Sequence, residues 1–461
     1  MAISSPGIGS GLDVSSIVEQ LVTLERRPIE QLTAQKTTLQ SKLSAFGLMQ
    51  SYTVNVQDAV NKLTSASLWT QTKALTTDTS VSATSTATAV SATYSVDVTQ
   101  LAQAQTLASG PYASTTTALG AGTLTITAAK VGSTGVDVVI DADDTLEDVR
   151  TKINAADAGV SASIVKDGAG SRLVLRSTAT GEDNAVSIAA TGDPALQQLS
   201  YDPNLTTGQM SQVQAAKNAK IKIDGLEVVS ATNTFDGSVE GLKLTVSKTT
   251  TSPVQVKVGT DTEAMRKAVD DFVKAYNDIN KYISDQTKYN EDTKVAGTLQ
   301  GDRSTLSLQS QLRAVLTQSS AASTAFPRLS DLGLEIQRDG SLKVNNTKLN
   351  AAMNNNLEQL GKAFSNNDTA QPANNGFAVR IKALTSALLK TDGLVSTRTQ
   401  GLRDSIERNE DQVAKMEDRV AAVQARLLRQ YSAMDSSISK LNGLNSYVTQ
   451  QLAALAKNYG K

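Results

Sequence analysis

A chain of 461 residues is long enough for several domains, and its 39% hydrophobic content supports cores of modest size. Its formal net charge of −1, with both signs interspersed, leaves no electrostatic footprint for nucleic acid or an anionic membrane. The sequence holds no Cys and no His, which removes disulfides, thiolate and imidazole metal ligands and the commonest general base, so the reading is of a protein that is not an enzyme and takes no cofactor.

The N-terminus, with Pro6, Gly7, Gly9 and Gly11, lacks the charged and continuously apolar regions of a cleaved signal peptide, and no run approaches the roughly 18 apolar residues of a membrane span. A cytosolic protein fits, and so does one exported by a route that reads an uncleaved N-terminus. The glycines follow no strand and lack a Walker lysine, so they read as a flexible leader rather than a phosphate loop.

Helical spacing begins with Leu12, Val14, Ile17, Val18, Leu21 and Leu24, capped by Asp13 or Ser15 and expected to be interrupted at Pro28. A second helix presents Leu39, Leu43, Phe46, Met49, Tyr52, Val56, Val60 and Leu63 in steps of three or four. After Trp69 the composition shifts to Thr, Ser and Ala with period-two alternation, and residues 76–258 read mainly as strands. Within them, Thr145 to Glu147 opens a short helix ending near Asn154, and Asp224-Gly225 signals a two-residue hairpin between Ile221–Ile223 and Leu226–Val228. Asp167 to Gly170 and Asp236-Gly237 read as turns, and residues 191–211 as a loop. Asp141, Asp143, Asp144 and Glu147 lack the glycine and twelfth-position acid of a calcium loop and fit a helix N-terminus better.

Helical periodicity returns at Met265, Val269, Phe272, Tyr276, Ile279 and Ile283, and in shorter pieces over 306–316 and 349–364, followed by an Asn-rich segment, 365–376, expected to be mobile. The C-terminal end carries the strongest pattern. From Leu402 through Ile406, Asn409, Val413, Met416, Val420 and Val423 to Leu427 the steps alternate four and three, the signature of a coiled-coil seam; the rhythm then slips and continues through Tyr431, Met434, Ile438, Leu441, Val448, Leu452 and Leu455.

The fold class that follows is a multidomain α+β protein, with a long helical coiled-coil or bundle stalk formed by both termini and β-rich head domains inserted between them. The divisions are a flexible N-terminal segment (1–38), stalk (39–75), inner head (76–108 and 216–260), outer head (109–215), stalk again (261–430) and a C-terminal helix labile until assembled (431–461). Leu39, Leu43, Phe46, Val60, Phe272, Tyr276, Ile406, Val413, Met416, Val420 and Leu427 are expected to pack the stalk. The outermost stripes, Leu12, Val14, Ile17, Val18, Leu21 and Leu24 with Leu441, Val448, Leu452 and Leu455, lie beyond helices that could cover them and are expected to meet other subunits.

Ser10-Gly11-Leu12-Asp13 with Val18, Leu21, Glu25 and Pro28 resembles the N-terminal signature of the flagellar hook-associated protein 2 family, the filament caps. The likeness continues at Tyr94 to Ala102, at Thr145-Leu146-Glu147-Asp148 with Ile153-Asn154 and Gly159-Val160, at Ile223-Asp224-Gly225, Phe272 to Asn277, Gly301-Asp302, Leu332-Gly333-Leu334 and Asp339 to Leu342. The chain departs from the family near Asn345, where an acid is usual, and residues 191–211 match nothing in it. The resemblance implies a secreted structural protein of the bacterial flagellum, exported through the type III apparatus with an export chaperone. It would assemble at the filament tip as a closed ring of about five or six subunits, retaining flagellin and promoting its folding and polymerisation. The alternatives are another axial component, such as a junction protein or flagellin, and an adhesin whose head binds host glycans.

Overall fold

The computed structural model describes residues 13–459 apart from 131, 206–209 and 293. Leu12 and the glycine-rich leader lie outside them. The chain forms two compact units, one joining the part up to Trp69 with Ala264 onward, the other spanning Thr70–Glu263.

In the first unit the N-terminal helix runs unbroken over Val14–Leu63, capped by the Asp13 carboxylate, which accepts from the Ser16 amide at 2.9 Å. Pro28 lies inside it and does not end it, contrary to expectation. Its missing N–H leaves the Leu24 carbonyl without a donor, a cost of about 3 kcal/mol in a helix interior. Leu24 is on the solvent side, while Val18 and Val22 before the proline and Ile29 after it are held against the C-terminal helix, so packing carries the helix across.

The C-terminal helix, Leu394–Tyr459, is 66 residues long, which is about 100 Å at the α-helical rise. Its first turns join the core of the unit: Leu402 is buried with Phe46, Met49 and Val60 of the N-terminal helix, Phe272 and Tyr276 of Thr262–Thr287, Leu308 of Arg303–Thr317 and Phe377 of Phe377–Leu389. Trp69 stacks on Phe364 with ring centroids 5.2 Å apart and donates its indole N–H to the Leu63 carbonyl. Asp302 caps Arg303–Thr317 through the Thr305 amide and receives the Arg398 guanidinium at 2.8 Å, tying that helix to the C-terminal one. The segment 365–376 is knit rather than loose: the Asp368 carboxylate accepts from the Ala370 and Gln371 amides and from Asn374 Nδ2, so its Asn and Asp side chains serve as turn formers.

The second unit holds two β-rich cores. A five-stranded antiparallel sheet in the order Thr72–Thr76, Val254–Thr260, Ala92–Gln100, Ala219–Ile223, Leu226–Ser230 shares one core, around Val96, Val256 and Phe235, with the three strands Thr234–Val239, Leu242–Val246 and Val81–Ser85. Alternate residues point inward because the strand period is two, as in the buried Leu242, Leu244 and Val246. Asp224 and Gly225 take φ of 49° and 87°, the left-handed pair a tight hairpin needs. The other core, around Leu124, Ile126, Leu146 and Leu173, is enclosed by a four-stranded sheet, a three-stranded sheet and the helix Leu146–Ala155. That helix starts on a complete capping box between Thr145 and Asp148. The described residues of the stretch expected to be a loop, 191–205 with 210 and 211, are anchored in this core: Leu196, on the short helix Pro194–Gln197, and Leu199, Tyr201 and Met210 are buried there. Asp236-Gly237 is no turn but a bulge within Thr234–Val239, and the reversal falls at Glu240-Gly241.

Candidate interaction surface

Beyond Leu402 the C-terminal helix leaves the core and continues antiparallel along the N-terminal helix. Lys36 Nζ meets Glu410 Oε1 at 2.8 Å, and Asn409 Nδ2 approaches Gln35 Oε1 at 3.5 Å. Two helices alone cannot enclose a seam, because each seam side chain is covered on one side only. The burial follows that geometry. Phe46, Val60, Phe272 and Tyr276, inside the globular part, are fully enclosed, while Ile406, Val413, Met416 and Leu427 are half-buried along the pair, as are Leu39 and Leu43. Val420 is buried where the two helices touch.

At the N-terminal end the structure differs from expectation. Val14 and Val18, expected to await another subunit, are 0% and 2% exposed, clustered with Val22 and Val420 and flanked by Ile29, Leu427, Leu428 and Tyr431. The reason is length: with Pro28 accommodated, the N-terminal helix stays alongside the C-terminal one down to its first residue. Ile17 and Leu21 are half-buried and Leu24 is open. The C-terminal stripe has no such cover: Leu441, Val448, Leu452 and Leu455 are between 45% and 65% exposed, together with Leu444 and Tyr447, which the three-and-four spacing passed over.

This open stretch carries no charge between Lys440 and Lys457. Its polar positions are Asn, Gln, Ser and Thr alone, beside the open apolar stripe. Open grooves flank the two-helix seam. One, of about 670 Å³, has Pro28, Leu32 and Met416 as apolar lining, Gln31, Gln35 and Gln412 as amides, and Lys415 and Arg419 as cations. Asn409, bonded to Gln35 beside it, is 5% exposed and its Oδ1 accepts nothing.

The acidic cluster of the second unit serves its own helix: the Lys152 ammonium lies between Asp141, at 2.6 Å, and Asp144. Among the described residues no group of His, Cys, Asp or Glu could hold a metal ion, and no helix is long and apolar enough to cross a membrane. Within the helical unit, burial of Asp302 opposes its ionisation, but the Thr305 amide and the Arg398 guanidinium outweigh it and hold the carboxyl below its usual range. Sequence periodicity passed over Asp302, Arg398 and Lys36, whose partners are distant in the chain.

Comparison with known proteins places these features. The family described as Flagellar hook-associated protein 2 C-terminus matches residues 216–443, its N-terminus counterpart residues 10–105, and the Flagellin hook IN motif residues 123–179. The chain is 30% identical over 465 residues to the Flagellar hook-associated protein 2 of Escherichia coli strain K12, covering 98% of each. It is 31% identical to the A-type flagellar hook-associated protein 2 of Pseudomonas aeruginosa, with 97% of each covered. Among solved structures, the D1-D2-D3 domains of the flagellar cap protein of Escherichia coli are 31% identical with a TM-score of 0.64, over 78% of this chain and 99% of that one.

Proposed function

The chain belongs to the flagellar hook-associated protein 2 family, and from that premise we propose that it caps the distal end of the bacterial flagellar filament. It is a structural, extracellular component that oligomerises on the filament, retains exported flagellin and promotes its folding and polymerisation. The observation that carries the reading is a chain that folds into a β-rich unit and a helical unit, the C-terminal helix of the latter running past its N-terminal partner as an apolar, uncharged and uncovered segment. Such an end is stable only against another molecule. Because ordering costs roughly 1–2 kcal/mol per residue, a partly covered helix pair holds its partner weakly enough to release it each time a subunit is added.

The finer parts of the proposal are a closed ring of about five or six copies, passage through the type III export apparatus with a chaperone, and the absence of any catalytic role. Leu24, Leu441, Val448, Leu452 and Leu455 are its contacts with flagellin or neighbouring copies, with Ile17 and Leu21 at the edge and Val14 and Val18 holding the helix pair together. The test is a strain lacking this chain: flagellin should appear unpolymerised in the medium, and the intact chain should restore filaments. Normal filaments in the deletion strain would overturn the proposal.

A further inference from the structure

Resting on the reading of the helix ends as assembly surfaces, we propose that residues 441–456 of the C-terminal helix dock, as a third helix, into the Pro28–Arg419 groove of a second copy of this chain. The groove cannot be filled by its own tail. The C-terminal helix is unbroken from Leu394 to Tyr459, so residue 441 lies more than about 30 Å past Arg419 along a rigid rod. The tail must therefore enter in trans.

The two surfaces suit each other chemically. Leu32 and Met416 offer an apolar floor to Leu444, Val448, Leu452 and Leu455, all of them open. The amides of Gln31, Gln35 and Gln412 meet a helix whose polar positions include Asn445, Gln450 and Gln451 rather than charges. Lys415 and Arg419 would repel a cationic helix, and the docking segment has no cation between Lys440 and Lys457. The unpartnered Asn409 Oδ1 next to Gln35 marks a polar position in the seam that the folded chain leaves unsatisfied.

The absence of native cysteine makes the test direct. Full-length Leu32→Cys is mixed with a size-tagged full-length Val448→Cys, Leu452→Cys or Leu455→Cys and oxidised; disulfides form only between residues whose Cα atoms come within about 7 Å. Leu48→Cys, exposed on the same N-terminal helix away from the groove, is the control. Trp69 fluorescence verifies that each variant is folded. The proposal expects mixed disulfides with Leu32→Cys at least several-fold above the control for one or more tail positions. Tail-to-tail disulfides alone, yields equal to the control, or a tail that becomes protected only when purified flagellin is added would overturn it. Loss of the cross-link with the chain still at filament tips would remove the groove and keep the cap; absence of the chain from tips would remove the cap whatever the cross-link shows.

Discussion

Asp302→Ala is the perturbation that most sharply tests how the helical unit is held. The wild-type carboxylate caps the helix Arg303–Thr317 by accepting from the Thr305 amide at 3.1 Å, a bond whose loss to alanine costs about 0.5–2 kcal/mol. It also receives Arg398 at 2.8 and 3.1 Å, with the Asp302 side chain 6% exposed and the Arg398 side chain 39%. An enclosed pair of this kind costs about 3–5 kcal/mol to break and an exposed one about 0–1, and since water reaches the arginine but hardly the acid, about 1–2 kcal/mol is the fitting share. The expected total is about 2–4 kcal/mol. Trp69 is the chain's single tryptophan and sits in this unit's core, so its fluorescence isolates the helical unit during urea unfolding. The midpoint should fall by about 1 M, given urea slopes near 3 kcal/mol/M for a unit of this size. Arg398→Ala completes a double-mutant cycle. A coupling near zero, or an unchanged midpoint, would refute the reasoning.

The same residue sets a pH dependence. Its carboxyl is held below the usual range in the folded state, so the stabilisation is fully present above the unfolded value near pH 3.9 and is lost as pH falls through the folded one. The gap between wild type and Asp302→Ala should be flat from pH 7 to about 5 and narrow below about 4 in the same titration. Phe46→Ala, which empties a fully buried site beneath the Arg398 guanidinium, should cost about 3–5 kcal/mol by Trp69 fluorescence. Gly225→Val should cost about 1–2 kcal/mol through backbone strain alone, since a Cβ there meets open space, and should shift the circular-dichroism transition of the β-rich unit while leaving the Trp69 transition in place. Replacing Leu452 and Leu455 with Asp should leave both transitions unchanged and abolish complementation of the deletion strain, read as flagellin lost to the medium.

How much of this was legible in the sequence depended on whether a local signal matched the determining interaction. The seam from Leu402 to Leu427, the Asp224-Gly225 hairpin and the Thr145 helix start are written in spacing and turn chemistry a few residues long, and all three stand. Pro28 misled because a local penalty of about 3 kcal/mol was set against packing on a helix nearly four hundred residues away in sequence. Val14 and Val18 read as uncovered for the same reason: once the helix continues, the chain itself covers them. Residues 191–211 hid Leu196, Leu199, Tyr201 and Met210 because isolated apolar residues among turn formers show no period. The Asn-rich stretch 365–376 signalled turns correctly, and Asp368 satisfies the backbone it caps. The uncovered tail was visible as a stripe, but Leu444 and Tyr447 broaden it beyond a single seam, and Asp302 with Arg398 could be paired only by the fold.

The measurement that tests the central claim most directly is gold labelling of native cells with an antibody raised against residues 76–258, viewed by electron microscopy. The account predicts label confined to the distal tips of filaments. Label at the base of the filament or along its length would make the chain a different axial component, and label on the cell body would contradict a place on the flagellum altogether.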